Sequence, residues 1–106
     1  MSVQHKSSTA CSVSEYPLDD SSLDFAIAKI NGRYPDQGYV VNEICKELVY
    51  VAQGSGKIVI NNQEHAINAG DVILIEPSEK YYWQGTIELF ISCHPKFSLE
   101  QHQIVD

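Results

Sequence analysis

The sequence predicts an all-β fold, a sandwich or a small antiparallel barrel, and three observations lead there. Short runs rich in Val, Ile and Tyr recur along the chain, and such residues fit a pleated, half-buried surface. Turn residues interrupt these runs about every ten positions, the rhythm of hairpins and not of βαβ units. The chain has 106 residues, enough for one core. The surface scaling rule gives roughly 6,000 Å² folded against about 17,000 Å² unfolded. Two-domain dehydrogenases, TIM barrels and protein kinases are excluded by size.

The elements follow in order. Residues 1–24 are Ser-rich, with little to bury, and read as a flexible arm adding one short strand around Tyr16 to Leu18. Residues 25–106 form the single domain. Phe25 to Ile30 alternates loosely and stops at Asn31-Gly32, a strong turn signal. Tyr34-Pro35-Asp36-Gln37-Gly38 is a second break, and Gly38 to Cys45 is extended. Glu47 to Ala52 ends at Gly54-Ser55-Gly56, read as a turn, and Lys57 to Ile60 ends at Asn61-Asn62-Gln63. Glu64 to Ile67, Asp71 to Ile75, Lys80 to Trp83 and Ile87 to Cys93 follow, with breaks at Asn68-Ala69-Gly70, Glu76-Pro77-Ser78 and Gln84-Gly85-Thr86. Ser98 to His102 resembles a capped turn start but is too short for an independent helix.

Lys57 to Ile60 and Val72 to Ile75 are apolar on consecutive positions. Such strands need cover on both faces, and a single short barrel covers one. A homodimer is therefore expected. The net charge of −7 repels phosphate backbones, so nucleic acid is not an expected partner. Neither a membrane span nor a signal-peptide apolar region is evident, which predicts a cytoplasmic protein with no membrane partner. Cys11, Cys45 and Cys93 are odd in number and form no CxxC pair, which fits reduced thiols and not a disulfide framework.

Two stretches together resemble the cupin family. Glu47 is followed by six residues and Gly54, like the end of the first cupin motif. Gly70-Asp71-Val72-Ile73-Leu74-Ile75-Glu76-Pro77 matches the frame of the second. The hairpin between them, with Asn61-Asn62 at its tip, also has cupin length. The resemblance covers roughly Gly38 to Pro95 and implies a small antiparallel β-barrel with jelly-roll topology, the double-stranded β-helix of RmlC-like proteins. The usual metal-binding histidines are missing. Their positions fall on Val41, Glu43 and Tyr81, and only the carboxylate, Glu47, remains.

Because the resemblance points Glu47 inward, strand parity sends Val41, Glu43, Cys45 and Val49 inward with it if no bulge intervenes. Tyr81 and Trp83 share a face. The expected ligand pocket is Glu43, Cys45, Glu47, Tyr81 and Trp83: apolar walls with a few polar groups. Two inward carboxylates raise one pKa and suit acid–base chemistry or a hard metal. Alternatively, one turns to the rim and pairs with Lys46 or Lys80. With no histidine in frame, no metal and no cofactor are expected. His5, His65, His94 and His102 read as arm, hairpin, rim and tail residues. Cys45 and Cys93 read as buried inert thiols, and Cys11 as an exposed arm residue. The expected function is binding of a small polar molecule in the barrel. The alternative is an isomerase- or lyase-type or metal-dependent enzyme using Glu43, Glu47 and Tyr81.

Overall fold

A computed structural model describes residues 3–6 by their backbone and 8–106 with side chains. Among these residues nine strands curl into one antiparallel sheet, with a 3-10 turn at Leu99–Gln101 and no α-helix. The long strands β5 (Lys46–Ile60) and β8 (Tyr81–His94) pair along their whole lengths. On the other edge of β8 lies β3 (Phe25–Tyr34), followed outward by β2 (Cys11–Tyr16) and β1 (Val3–Lys6). The strand β4 (Tyr39–Asn42) meets β8 at Val40–Tyr81 and carries β9 (His102–Val105) on its far side. Both β6 (Gln63–Asn68) and β7 (Val72–Ile75) pair with β5, one on each half.

The period-two pattern decides what faces inward. On β8 the buried set is Tyr81, Trp83, Ile87, Leu89 and Cys93; facing it on β3 are Ala28 and Ile30, in register with Leu89 and Ile87. Glu47, Val49 and Val51 form the buried set at the start of β5. The β5–β6 hairpin turns through Asn61 and Asn62, at φ 49° and 67°. This is the two-residue turn that favours asparagine because both positions need a left-handed backbone.

Three breaks expected from glycine are bends inside continuous strands. Asn31-Gly32 lies within β3, Gly54-Ser55-Gly56 within β5, and Gln84-Gly85-Thr86 within β8. The reason is lateral. Gly32 pairs with Gly85, and Gly85 pairs with Gly56, so three adjacent strands place glycine in one line. A Cβ at Gly85 would lie 2.7 Å from the Gly56 Cα. Along this line the backbones approach too closely for a Cβ at Gly85 or Gly56, and a bulge lies nearby between Val51 and Gln53.

The N-terminal stretch also differs from expectation. Its second strand covers Cys11–Tyr16, not Tyr16 to Leu18, and extends the sheet beside β3. Cys11, expected to be exposed, is buried, and Tyr16 packs on Phe25 with ring centroids 5.7 Å apart. The side chain of His5 lies outside the described residues.

Two glycines separate strain from collision. Gly54 has φ 86°, and a Cβ there would collide with the Thr86 carbonyl. Gly70 has φ 99° and open space around it. Gly54→Ala is expected to cost on the order of 3 kcal/mol and Gly70→Ala about 1 kcal/mol. Urea denaturation of both variants checks the ranking.

Candidate functional site

The barrel is hollow. A cavity of ≈ 690 Å³ lies between β2, β3, β5, β8 and the C-terminal segment, within the range of about 300–1,000 Å³ typical of small-molecule sites. Its apolar wall owes its depth to small residues: Ala26 and Ala28 on β3 stand opposite Ile91 and Leu89 on β8. Trp83, the only tryptophan in the chain, forms part of the wall.

The polar end centres on Glu47, which is 6% exposed. Its Oε1 accepts from Asn42 Nδ2 at 2.8 Å and from the Tyr81 hydroxyl at 3.0 Å. Asn42 Nδ2 also donates to the Tyr81 oxygen at 3.2 Å. The other end of the same amide is equally committed: Asn42 Oδ1 accepts from Gln101 Nε2 at 3.2 Å and from His102 Nδ1 at 2.7 Å. Every hydrogen-bonding position of Asn42 is used, which fixes the direction of its amide. The His102 tautomer follows. Nδ1 carries the proton, so Nε2 accepts from the Tyr34 hydroxyl at 2.9 Å. Gln101 ties the network to the backbone, its Oε1 accepting from Ile44 N at 3.0 Å and Cys45 N at 3.2 Å.

Burial raises the Glu47 carboxyl above its ordinary value of 4.5, outweighing the hydrogen bonds from Asn42 and Tyr81 that pull it down. When Glu47 is protonated, its proton belongs on Oε2, because Oε1 already accepts two donors. Among the described residues no buried polar side-chain atom lacks a partner. Oε2, which has no hydrogen bond, therefore has accessible surface, and Glu47 lines the cavity. Burial, with Cys11 and Glu47 nearby, pushes Tyr34 up to about 12. Tyr81 rises well above 10.0 through burial and then through Glu47. Burial lowers His102 below 6.5 and keeps its ring neutral. At neutral pH the cavity end is thus a set of uncharged donors and acceptors around one carboxyl.

The expected pocket residues separate. Glu47, Tyr81 and Trp83 line the cavity together. Glu43 does not: it is exposed on the bend after β4, where strand pairing ends at Asn42. That bend breaks the parity assumed from Val41 to Val49, so Asn42 turns inward in place of Glu43. Cys45 is buried but lies outside the cavity lining, whereas Cys93 reaches it. The hydrogen bond with Cys45, and then burial, push the Cys93 thiol up, against a nucleophilic role. His102, expected as a tail residue, is an integral part of the site, while His65 and His94 are exposed. Asn42 and His102 were not foreseen. The one local signal was Ile104-Val105 near the chain end, an apolar pair that favours a strand and so an ordered tail.

The donors around Glu47 are a phenol and an amide. Among the described residues no three His, Cys, Asp or Glu side chains converge on a metal-sized site. This set does not fit the imidazole-rich transition-metal centre that a barrel of this kind usually carries.

The AraC-like ligand binding domain profile matches residues 25–86. The chain belongs to that family. Solved structures agree on its cupin-type architecture. A variant of Streptomyces PAC13, solved with uridine, shares 18% identity at a TM-score of 0.89, over 99% of this chain and 85% of its own. Another structure of Pac13 describes it as a nucleoside dehydratase. KdgF from Halomonas sp. matches at 12% identity and a TM-score of 0.72, over 91% of this chain and 88% of its own. The salicylate 1,2-dioxygenase of Pseudaminobacter salicylatoxidans matches at 14% and 0.73, over 84% of this chain and 27% of the enzyme. At these identities the likeness is one of fold. No curated protein sequence matches the chain. Among the described residues no helix is long and apolar enough to cross a membrane.

Glu47 and His102 make stability depend on pH with opposite signs. Glu47 has a raised folded pKa, so the unfolded chain ionises first as pH rises past 4.5, and stability falls from there until the folded carboxyl ionises. His102 has a lowered folded pKa, so its contribution is present above 6.5 and is lost as pH falls. The melting temperature of Glu47→Gln relative to the parent is expected to climb as pH rises above 4.5. A constant difference across that range would show that burial does not perturb Glu47.

Proposed function

We propose that the barrel binds a small ring-bearing polar molecule. The ring lies against Trp83 and the aliphatic wall, and a polar group reaches Oε2 of Glu47. The supporting observation is a cavity of ≈ 690 Å³ with a single open carboxyl oxygen at its polar end. An apolar enclosure with few oriented polar groups is the usual composition of such sites. The family's ligand-binding character and the uridine seen in Streptomyces PAC13 point the same way. A thermal-shift and Trp83-fluorescence screen with nucleosides, sugars and aromatic acids is the test. One class is expected to raise the melting temperature. Ala28→Leu, which fills the space beside Leu89, should abolish that rise while leaving the empty protein folded. No response to any compound would overturn the proposal.

A second reading, an acid–base lyase, is favoured by the position of the Glu47 proton. In an elimination of water, Oε2–H would protonate the departing hydroxyl. The resulting carboxylate would then take the proton from the adjacent carbon as the double bond forms, restoring Glu47. The dehydratase activity named for Pac13 is consistent with such chemistry in a barrel of this shape. Glu47→Gln separates the readings. Ligand binding that survives while turnover vanishes supports the lyase, and absence of turnover in the parent supports binding alone.

The same family fold suits pairing of two copies, which we also propose. Leu48 is 52% exposed, Tyr50 45%, Val72 64% and Leu74 49%, in two cross-strand pairs on the outer face. Phe90 adjoins Tyr50 with ring centroids 6.1 Å apart. The consecutive apolar run Lys57 to Ile60 finds cover within the chain, since Ile58 and Val59 are both buried, but Val72 and Leu74 do not. A contiguous apolar face of this kind is a dimer surface in many small β proteins. Light scattering should give a dimer for the parent and a monomer for Leu74→Glu. A monomeric parent at micromolar concentration would remove the dimer.

A further inference from the structure

The cavity is one-sided in charge. Glu15, Asp24 and Glu47 line it, yet no Lys or Arg among the described residues does. Four of the described cations are committed elsewhere. Arg33 donates to the Pro35 and Gly38 carbonyls at 2.8 and 3.0 Å and lies over the Tyr82 ring, 3.8 Å from its centroid. Lys29, Lys46 and Lys57 stand beside Glu88, Glu76 and Glu64, and none of the three lines the cavity. His102 offers no spare N–H, because Nδ1–H is given to Asn42 and Nε2 accepts from Tyr34.

Two N–H groups near the polar end, those of Cys93 and Phe97, point at Asp24, at 2.7 Å to Oδ1 and 3.0 Å to Oδ2. They neutralise a carboxylate of the protein and are lost to an incoming anion. A phosphate or carboxylate entering this space would leave water with no Lys or Arg among the described lining residues to meet it, and a buried unpaired charge is costly. An uncharged ring with hydroxyl groups meets donors and acceptors instead. An ammonium group meets carboxyl side chains and the aromatic residues Tyr34, Trp83 and Phe97.

We infer that the barrel admits uncharged or cationic ring compounds and rejects their carboxylated or phosphorylated counterparts. This rests on the binding reading above, which leaves the charge of the ligand open. It sets the ligand class one step from the obvious relatives: the nucleoside and not the nucleotide, the amine or alcohol and not the acid.

Three probes of one ring test it: 2-phenylethanol, 2-phenylethylamine and phenylacetate at pH 7, titrated against the intact protein with Trp83 emission and melting temperature as readouts. The alcohol and the amine should bind, and phenylacetate should bind at least about tenfold more weakly than the alcohol. Phenylacetate binding as tightly as the alcohol overturns the charge inference while leaving the binding reading standing. Silence from all three probes overturns both.

Discussion

One buried carboxyl organises this molecule. Glu47 sits inside a β-barrel without a cationic partner, and an ionised carboxylate there would cost several kcal/mol. That cost raises its pKa, and two hydrogen bonds to Oε1 from Asn42 and Tyr81 orient the carboxyl. Around this pair lies a second ring of contacts from the C-terminal segment. Gln101 and His102 both donate to Asn42, and Tyr34 on β3 closes the chain through His102. Strands far apart in sequence, β3, β4, β5, β8 and β9, are thereby joined at one end of the cavity. Such networks specify a unique arrangement because a partly satisfied one is worse than none.

The space beside this network comes from what the chain leaves out. Alanine at 26 and 28 leaves room that larger residues would fill, and the glycine line at Gly32, Gly85 and Gly56 lets the sheet curl tightly enough to enclose it. Gln101 clamps the backbone at Ile44 and Cys45, so the C-terminal segment closes the barrel and supplies site residues at once. This links packing to chemistry. The turn that carries Leu99–Gln101 and the strand that follows are part of the binding site and not an appendage.

Much of the architecture was legible in the sequence, and the failures have definite causes. The alternation of Val, Ile and Tyr with turn residues gave the all-β class, and the spacing from Glu47 to Gly54 with the Gly70-Asp71 frame gave the cupin barrel. Glycine misled where it lies inside strands. A turn and a sheet bend use the same residue, and only lateral pairing distinguishes them. Glu47, Tyr81 and Trp83 could be placed together because β5 and β8 keep strict alternation near them. Glu43 could not, because a bend of three residues between β4 and β5 reverses which side chains face in. Asn42 and His102 enter the site through contacts between residues about 60 apart, which local pattern does not encode. The burial of Cys11 follows from pairing of β2 with β3, invisible in a Ser-rich stretch.

The chemistry this site offers is that of a buried carboxyl whose pKa is raised by its surroundings. That places the whole weight on the protonation state of one side chain. The direct measurement is a ¹³C NMR titration of the Glu47 carboxyl, assigned by its loss in Glu47→Gln. A midpoint well above 4.5, with the protonated form persisting toward neutral pH, is the predicted result. A midpoint at or below 4.5 would contradict it, since burial would then impose no cost on the ionised carboxyl.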